Sequence, residues 1–86
     1  MPKKYVKRLI PIEAIQYDGD NWKEISQWMH NYGFPCGRTK DRSIIIHALE
    51  GEMLGRPGDY IIKGIRDEFY PCARAIFEES YEEYVD

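Results

Sequence analysis

The sequence predicts an α+β fold in which a small, largely antiparallel sheet packs against one main amphipathic helix. Three observations predict it. Trp22, Ile25, Trp28, Met29 and Tyr32 recur at helical spacing, which places them on one broad stripe. Elsewhere, short runs rich in β-branched and aromatic residues alternate with Gly- and Pro-containing turns. The chain has 86 residues, enough for one hydrophobic core, so 1–86 is expected to be a single domain. A domain of this size buries only about 60–65% of its unfolded surface, so its stability is modest or shared with partner copies.

The elements follow in order. Val6 to Tyr17 reads as a first strand, with Ile10, Ile12 and Ala14 on one face and Leu9, Glu13, Ile15 and Tyr17 on the other. Pro11 removes a ladder donor and marks a break or an edge. Asp18-Gly19-Asp20-Asn21 is a turn, and Asn21 with Glu24 reads as a capping box opening the helix. Gly33 supplies its stop, with Pro35 soon after. Phe34 to Arg42 is expected to be a polar, basic loop. Ser43 to Leu49 is a strand whose Ile44-Ile45-Ile46 run suggests a central place in the sheet. Glu50-Gly51 is a tight reversal and Glu52 to Leu54 a return strand. Arg56-Pro57-Gly58-Asp59 is a second turn, and Tyr60 to Gly64 and Phe69 to Cys72 form a hairpin around 65–68. Ala73 to Glu79 suits a short helical turn, and Tyr81 to Val85 a last strand.

Charge divides the chain. Residues 1–43 carry a formal charge of +3 and residues 44–86 carry −6, within an overall −3. The acid surplus is concentrated at Glu78, Glu79, Glu82, Glu83 and Asp86. A duplex-DNA binder needs a basic face throughout its contact surface, so this split argues against one. It permits pairing of copies, basic arm against acidic tail. No apolar run approaches the about 20 residues of a spanning helix, so no membrane partner is expected. The basic start lacks the apolar stretch of a secretory signal. Cys36 and Cys72 are far apart and fit neither a disulfide framework nor a CxxC metal site, which suits a reducing cytosol.

Four stretches resemble a known family. Pro11-Ile-Glu-Ala-Ile-Gln-Tyr17, Pro57-Gly-Asp-Tyr-Ile-Ile-Lys-Gly64, Glu68-Phe-Tyr-Pro-Cys72 and Ile76-Phe-Glu-Glu-Ser-Tyr-Glu82 are similar to motifs of a family of small proteins encoded by tailed bacteriophages and prophages. The resemblance covers the first strand and most of 57–82, with no such match over 18–56. It implies a phage accessory protein working in the host bacterial cytoplasm.

The chemistry-bearing residues point to binding rather than catalysis. His30 and His47 lack metal-ligand spacing, no base is marked beside either cysteine, and no Gly-rich phosphate loop is present. The expectation is no enzyme, no metal and no cofactor. Twelve aromatics are more than one small core needs. Trp22, Trp28 and Tyr32 suit the buried helix face, whereas Tyr17, Tyr60 and Tyr70 border turns where a ring can be half exposed. Arg56, Lys63 and Arg66 lie in or near the same turns, and Arg38, Lys40 and Arg42 form a second basic feature. Guanidinium groups fork onto phosphate oxygens while phenol rings cover bases. The leading expectation is therefore a homo-oligomeric, non-catalytic binder of a small nucleotide-type ligand, such as a second messenger of bacterial antiviral signalling. Two alternatives stand beside it. One is an inhibitor or adaptor docking on a host or phage protein through the acidic tail or a sheet edge. The other is a virion assembly component.

Overall fold

The computed structural model of the chain describes residues 1–6, 8–48 and 51–84. Its elements are β1 (Glu13–Gln16), α1 (Trp22–Asn31), β2 (Cys36–Arg38), β3 (Ile44–Ala48), β4 (Gly51–Gly55), β5 (Tyr60–Lys63), β6 (Phe69–Cys72) and α2 (Arg74–Ser80). They form two three-stranded antiparallel sheets, ordered β1-β5-β6 and β2-β3-β4. The class is mixed α and β with antiparallel pairing. The expectation of one sheet under one main helix is corrected: two sheets share a core with the ten-residue α1, and α2 is a second, seven-residue helix.

The core joins every layer. Tyr17, Ile25, Met29, Ile44, Ile46, Ile61 and Phe69 form one buried cluster, drawn from both sheets and α1. Paired residues on neighbouring antiparallel strands share a face. In the first sheet Ile15, Ile61 and Phe69 therefore face the core, while Ala14, Tyr60, Ile62, Tyr70 and Cys72 face the other way. In the second sheet Cys36, Ile44, Ile46 and Met53 share the inner face. The triple isoleucine run does occupy a central strand: Ile44 and Ile46 are buried and Ile45 is half-buried on the outer face. Gly55 marks where the sheets touch. A Cβ there would lie 2.8 Å from Ile61 Cδ1 and 3.6 Å from Pro71 Cβ.

The end of α1 follows the sequence closely. Gly33 takes φ +68°, its N–H donates to the His30 carbonyl, and the Phe34 N–H donates to the Met29 carbonyl. That is a Schellman closure with Gly at the left-handed position. The start differs from the expected capping box. Asn21 makes no side-chain cap bond; its Nδ2 donates to the Gln16 carbonyl and to Glu24 Oε1. The side chain ties the helix back to β1 instead of closing its first turn.

Other boundaries are corrected as well. The first strand is confined to four residues, since Pro11 stops the pairing and 1–6 and 8–12 lie outside any strand. The expected 34–42 loop contains β2, whose Cys-Gly-Arg sequence has little strand preference and is held by pairing with Ile44–Ile46. Residues 81–84 are not a strand, and Val85 lies outside the described residues, as do Glu50 of the expected reversal and Leu49.

Phe69 is the aromatic centre. It is 1% exposed, and the rings of Trp28, Phe34 and Tyr32 lie at 5.0, 5.2 and 6.0 Å from it. Phe69→Ala is expected to destabilise the fold by about 3–5 kcal/mol, read from urea unfolding. Tyr32→Ala should cost far less, because Tyr32 is 45% exposed.

Candidate functional site

Three loops meet at one end of the molecule. Tyr17 closes β1: its N–H donates to the Asp59 carbonyl (2.8 Å), and its own carbonyl accepts from Gly58 N–H (2.6 Å). Its hydroxyl donates to the Arg42 carbonyl at 2.6 Å. The 17–21 turn, the 39–43 loop and the 56–59 turn are thereby fixed together. Gly19, at φ +92°, lies beneath the Arg42 guanidinium, which donates to the Gly19 carbonyl and pairs with Asp20. A Cβ at Gly19 would come within 3.1 Å of that guanidinium, and the positive φ favours glycine there.

The loop acids are engaged locally. Asp18 accepts from the backbone N–H of Asp20 and of Asn21, and these bonds hold its carboxyl below the usual carboxylate range. Asp41 is held low by the Thr39 hydroxyl and then by Ser43. Asp59 accepts from Arg56 N–H at 2.9 Å. Arg38, Lys40 and Arg56 are exposed and, among the described residues, make no ion pair. Arg38, Ile44 and Gly55 are successive cross-strand neighbours, so Arg38 and Arg56 emerge at the same end of the second sheet.

The remaining sequence-derived candidates lie elsewhere. Tyr17, expected to offer a half-exposed ring, is fully buried and belongs to the core. Lys63 and Arg66 lie at the opposite end of the β5–β6 hairpin. Lys63 Nζ is 3.0 Å from Asp67 and 3.8 Å from Glu13, and it lies 4.6 Å from the centre of the Tyr32 ring. Its pKa is raised, chiefly by the Asp67 hydrogen bond. Arg66 is exposed in the turn, its N–H donating to Glu68. One chain does not gather all nine candidates into one pocket.

Tyr60 and Tyr70 do share the outer face of the first sheet, beside Phe77 and Tyr81, which lie outside the sequence-derived ligand candidates. Phe77 stacks on Tyr60 at 3.9 Å and 10°, and Tyr81 stacks on Phe77 at 4.9 Å and 25°. The four-residue spacing of Phe77 and Tyr81 across a helical turn was the available signal. Burial, then a hydrogen bond with Tyr81, pushes the Tyr70 pKa up to about 12. Between this ladder and residues 9–12 and Ala14 runs a groove of about 1060 Å³, bordered by Glu78 and Glu79 of α2 and by Glu82 and Glu83 just beyond it. A second hollow of about 750 Å³ lies between the β3–β4 hairpin and the start of β6, floored by Phe34, Met53 and Phe69.

The nucleophilic and imidazole side chains are dispersed. His30 is exposed on α1, and His47 Nδ1 is 3.2 Å from Glu52 across β3 and β4. Cys36 and Cys72 are free, and burial pushes the Cys36 thiol up. Among the described residues no helix is long and apolar enough to cross a membrane. Comparison with family models, with curated proteins and with solved structures returned no match.

Two outcomes follow from the loop junction. Tyr17→Phe leaves the Arg42 carbonyl without its phenolic partner and is expected to cost about 1–2 kcal/mol in urea unfolding. Asp18 and Asp41 have folded pKa values below their unfolded ones. Their stabilisation is therefore complete above about pH 4 and lost as pH falls through the lowered values. An Asp18→Asn, Asp41→Asn double variant should show a shallower fall of Tm between about pH 5 and pH 2 than the unmodified chain.

Proposed function

We propose that the chain is a phage accessory protein that binds a small nucleotide-type molecule without transforming it, acting as a homo-oligomer in the host bacterial cytoplasm to sequester a signal of antiviral immunity. The observation that carries the reading is the basic loop end. Arg38 at the end of β2, Lys40 in the 39–43 loop and Arg56 in the 56–59 turn emerge at one end of the second sheet, beside the junction held by Tyr17, while Asp18, Asp41 and Asp59 are engaged with their own turns. Exposed guanidinium and ammonium groups on a rigid frame suit phosphate oxygens, with Arg supplying the bidentate fork. The resemblance of the 11–17 and 57–82 stretches to phage proteins supports the origin. One small domain has little interior room for a ligand, so a shared pocket between copies is the natural way to enclose one.

A second reading, docking of a host or phage protein, is favoured by the acidic aromatic groove beside α2.

Calorimetric titration with cyclic dinucleotides, cyclic trinucleotides and cyclic ADP-ribose isomers tests the first reading. Binding to at least one, with the ligand recovered intact, is expected. Lys40→Glu and Arg56→Glu should each weaken capture by about tenfold without lowering Tm, since both residues are exposed. Arg66 lies at the far end of the first sheet, so weakening by Arg66→Glu would show a pocket shared between subunits. Absence of binding to every ligand, or turnover of a bound one, refutes the reading.

A further inference from the structure

The chain carries an unmatched arm and an unmatched groove. Residues 1–6 and 8–12 precede β1 outside any helix or strand, with Tyr5, Val6 and Leu9 at 86, 93 and 92% exposure. The Cα radius of gyration is 14.1 Å and the long axis 49 Å, against about 12 Å for the radius of a compact domain of this length. Lys3, Lys4 and Arg8 are exposed and make no ion pair among the described residues. A basic, apolar segment is thus held out in solvent.

The groove beside α2 is its chemical complement. Tyr60, Phe77 and Tyr81 give it an aromatic wall, and four glutamates line the same side. Its opposite wall is residues 9–12 of the chain's own arm, while the part of the arm carrying Lys3, Lys4 and Tyr5 does not border it. An extended 3–8 segment spans about 20 Å. Phe77–Ser80 of α2 followed by 81–84 offer about 19 Å along the groove. Length, polarity and charge sign all match.

We infer that the groove receives the N-terminal arm of a second copy of this chain, with Lys3, Lys4 and Arg8 against the glutamates and Tyr5 and Val6 against the aromatic wall. Reciprocal exchange closes a two-fold dimer, since each copy offers both halves of the contact. Opposite charge sets the register and speeds encounter, and apolar burial supplies the larger share of the affinity. The inference deepens the homo-oligomer part of the proposed function and is independent of which ligand is captured.

Sedimentation velocity on the full-length chain tests it, using a Lys3→Glu, Lys4→Glu, Arg8→Glu arm variant and a Glu78→Lys, Glu79→Lys, Glu82→Lys groove variant. The unmodified chain should be dimeric at about 100 µM, and raising salt to about 1 M should weaken the dimer. Each variant alone should dimerise at least about tenfold more weakly, with an unchanged far-UV spectrum, and an equimolar mixture of the two should regain association. Regain on mixing is the signature that a loss of folding would not give. A monomeric unmodified chain, variants that associate as it does, or a mixture that stays monomeric overturns the inference. If the groove instead takes up only a foreign protein, the second-copy assignment falls. Nucleotide capture that survives any of these results leaves the ligand reading standing by itself.

Discussion

Tyr17 is the constraint on which the rest of the structure depends. Its backbone ends β1 against the 56–59 turn and its hydroxyl reaches the Arg42 carbonyl, so one fully buried side chain joins the two sheets at their loop end. Without that tie, a three-stranded sheet from 13–16, 60–63 and 69–72 and another from 36–55 would meet through apolar contacts, Gly55 and the Arg42 side chain on Gly19 and Asp20. Apolar burial is non-directional, whereas hydrogen bonds to defined carbonyls fix register. The positions of Lys40 and Arg56, next to the β2 end that carries Arg38, follow from that fixing.

The separation of charge follows from the same frame. At the loop end, carboxylates of Asp18, Asp41 and Asp59 serve as acceptors for their own turns. Arg42 pairs with Asp20, whereas Arg38, Lys40 and Arg56 make no ion pair among the described residues. On the opposite face of the first sheet the order reverses: glutamates of α2 and the following residues border an aromatic ladder, and the nearby Arg74 is occupied by Glu78 at 3.0 Å. One molecule therefore presents a basic end suited to an anion and an acidic face suited to a basic segment. These are separate surfaces, and a ligand at one need not disturb the other.

Sequence made some of this legible. The helical stripe, Gly33 at its end, the turns at 56–59 and 65–68 and the central Ile44–Ile46 strand all rest on local signals, namely periodicity and glycine or proline punctuation. What escaped was set by tertiary contact. β2 is a strand because Ile44–Ile46 pairs with it, not because Cys-Gly-Arg favours one. Tyr17 resembles any tyrosine bordering a turn until the Arg42 carbonyl is known to lie above the core. The split into two sheets depends on which edges pair, information that alternation within one strand does not hold. In the candidate site, spacing grouped the basic residues by neighbouring turns, and the fold then sent Lys63 and Arg66 to the end opposite Arg38 and Arg56. Phe77 and Tyr81 were visible as a four-residue pair, but their stacking on Tyr60 required the position of α2.

The central claim is that loops joined by Tyr17 form a basic end that holds a phosphate-bearing ligand. Amide chemical-shift mapping of the isotopically labelled full chain, titrated with a cyclic dinucleotide, a cyclic trinucleotide and cyclic ADP-ribose in turn, addresses it most directly. Saturable shifts are expected for at least one ligand, largest at residues 38–43 and 56–59 and extending to Tyr17. Shifts that are absent for every ligand, or largest at 64–68 or 74–84, would contradict it.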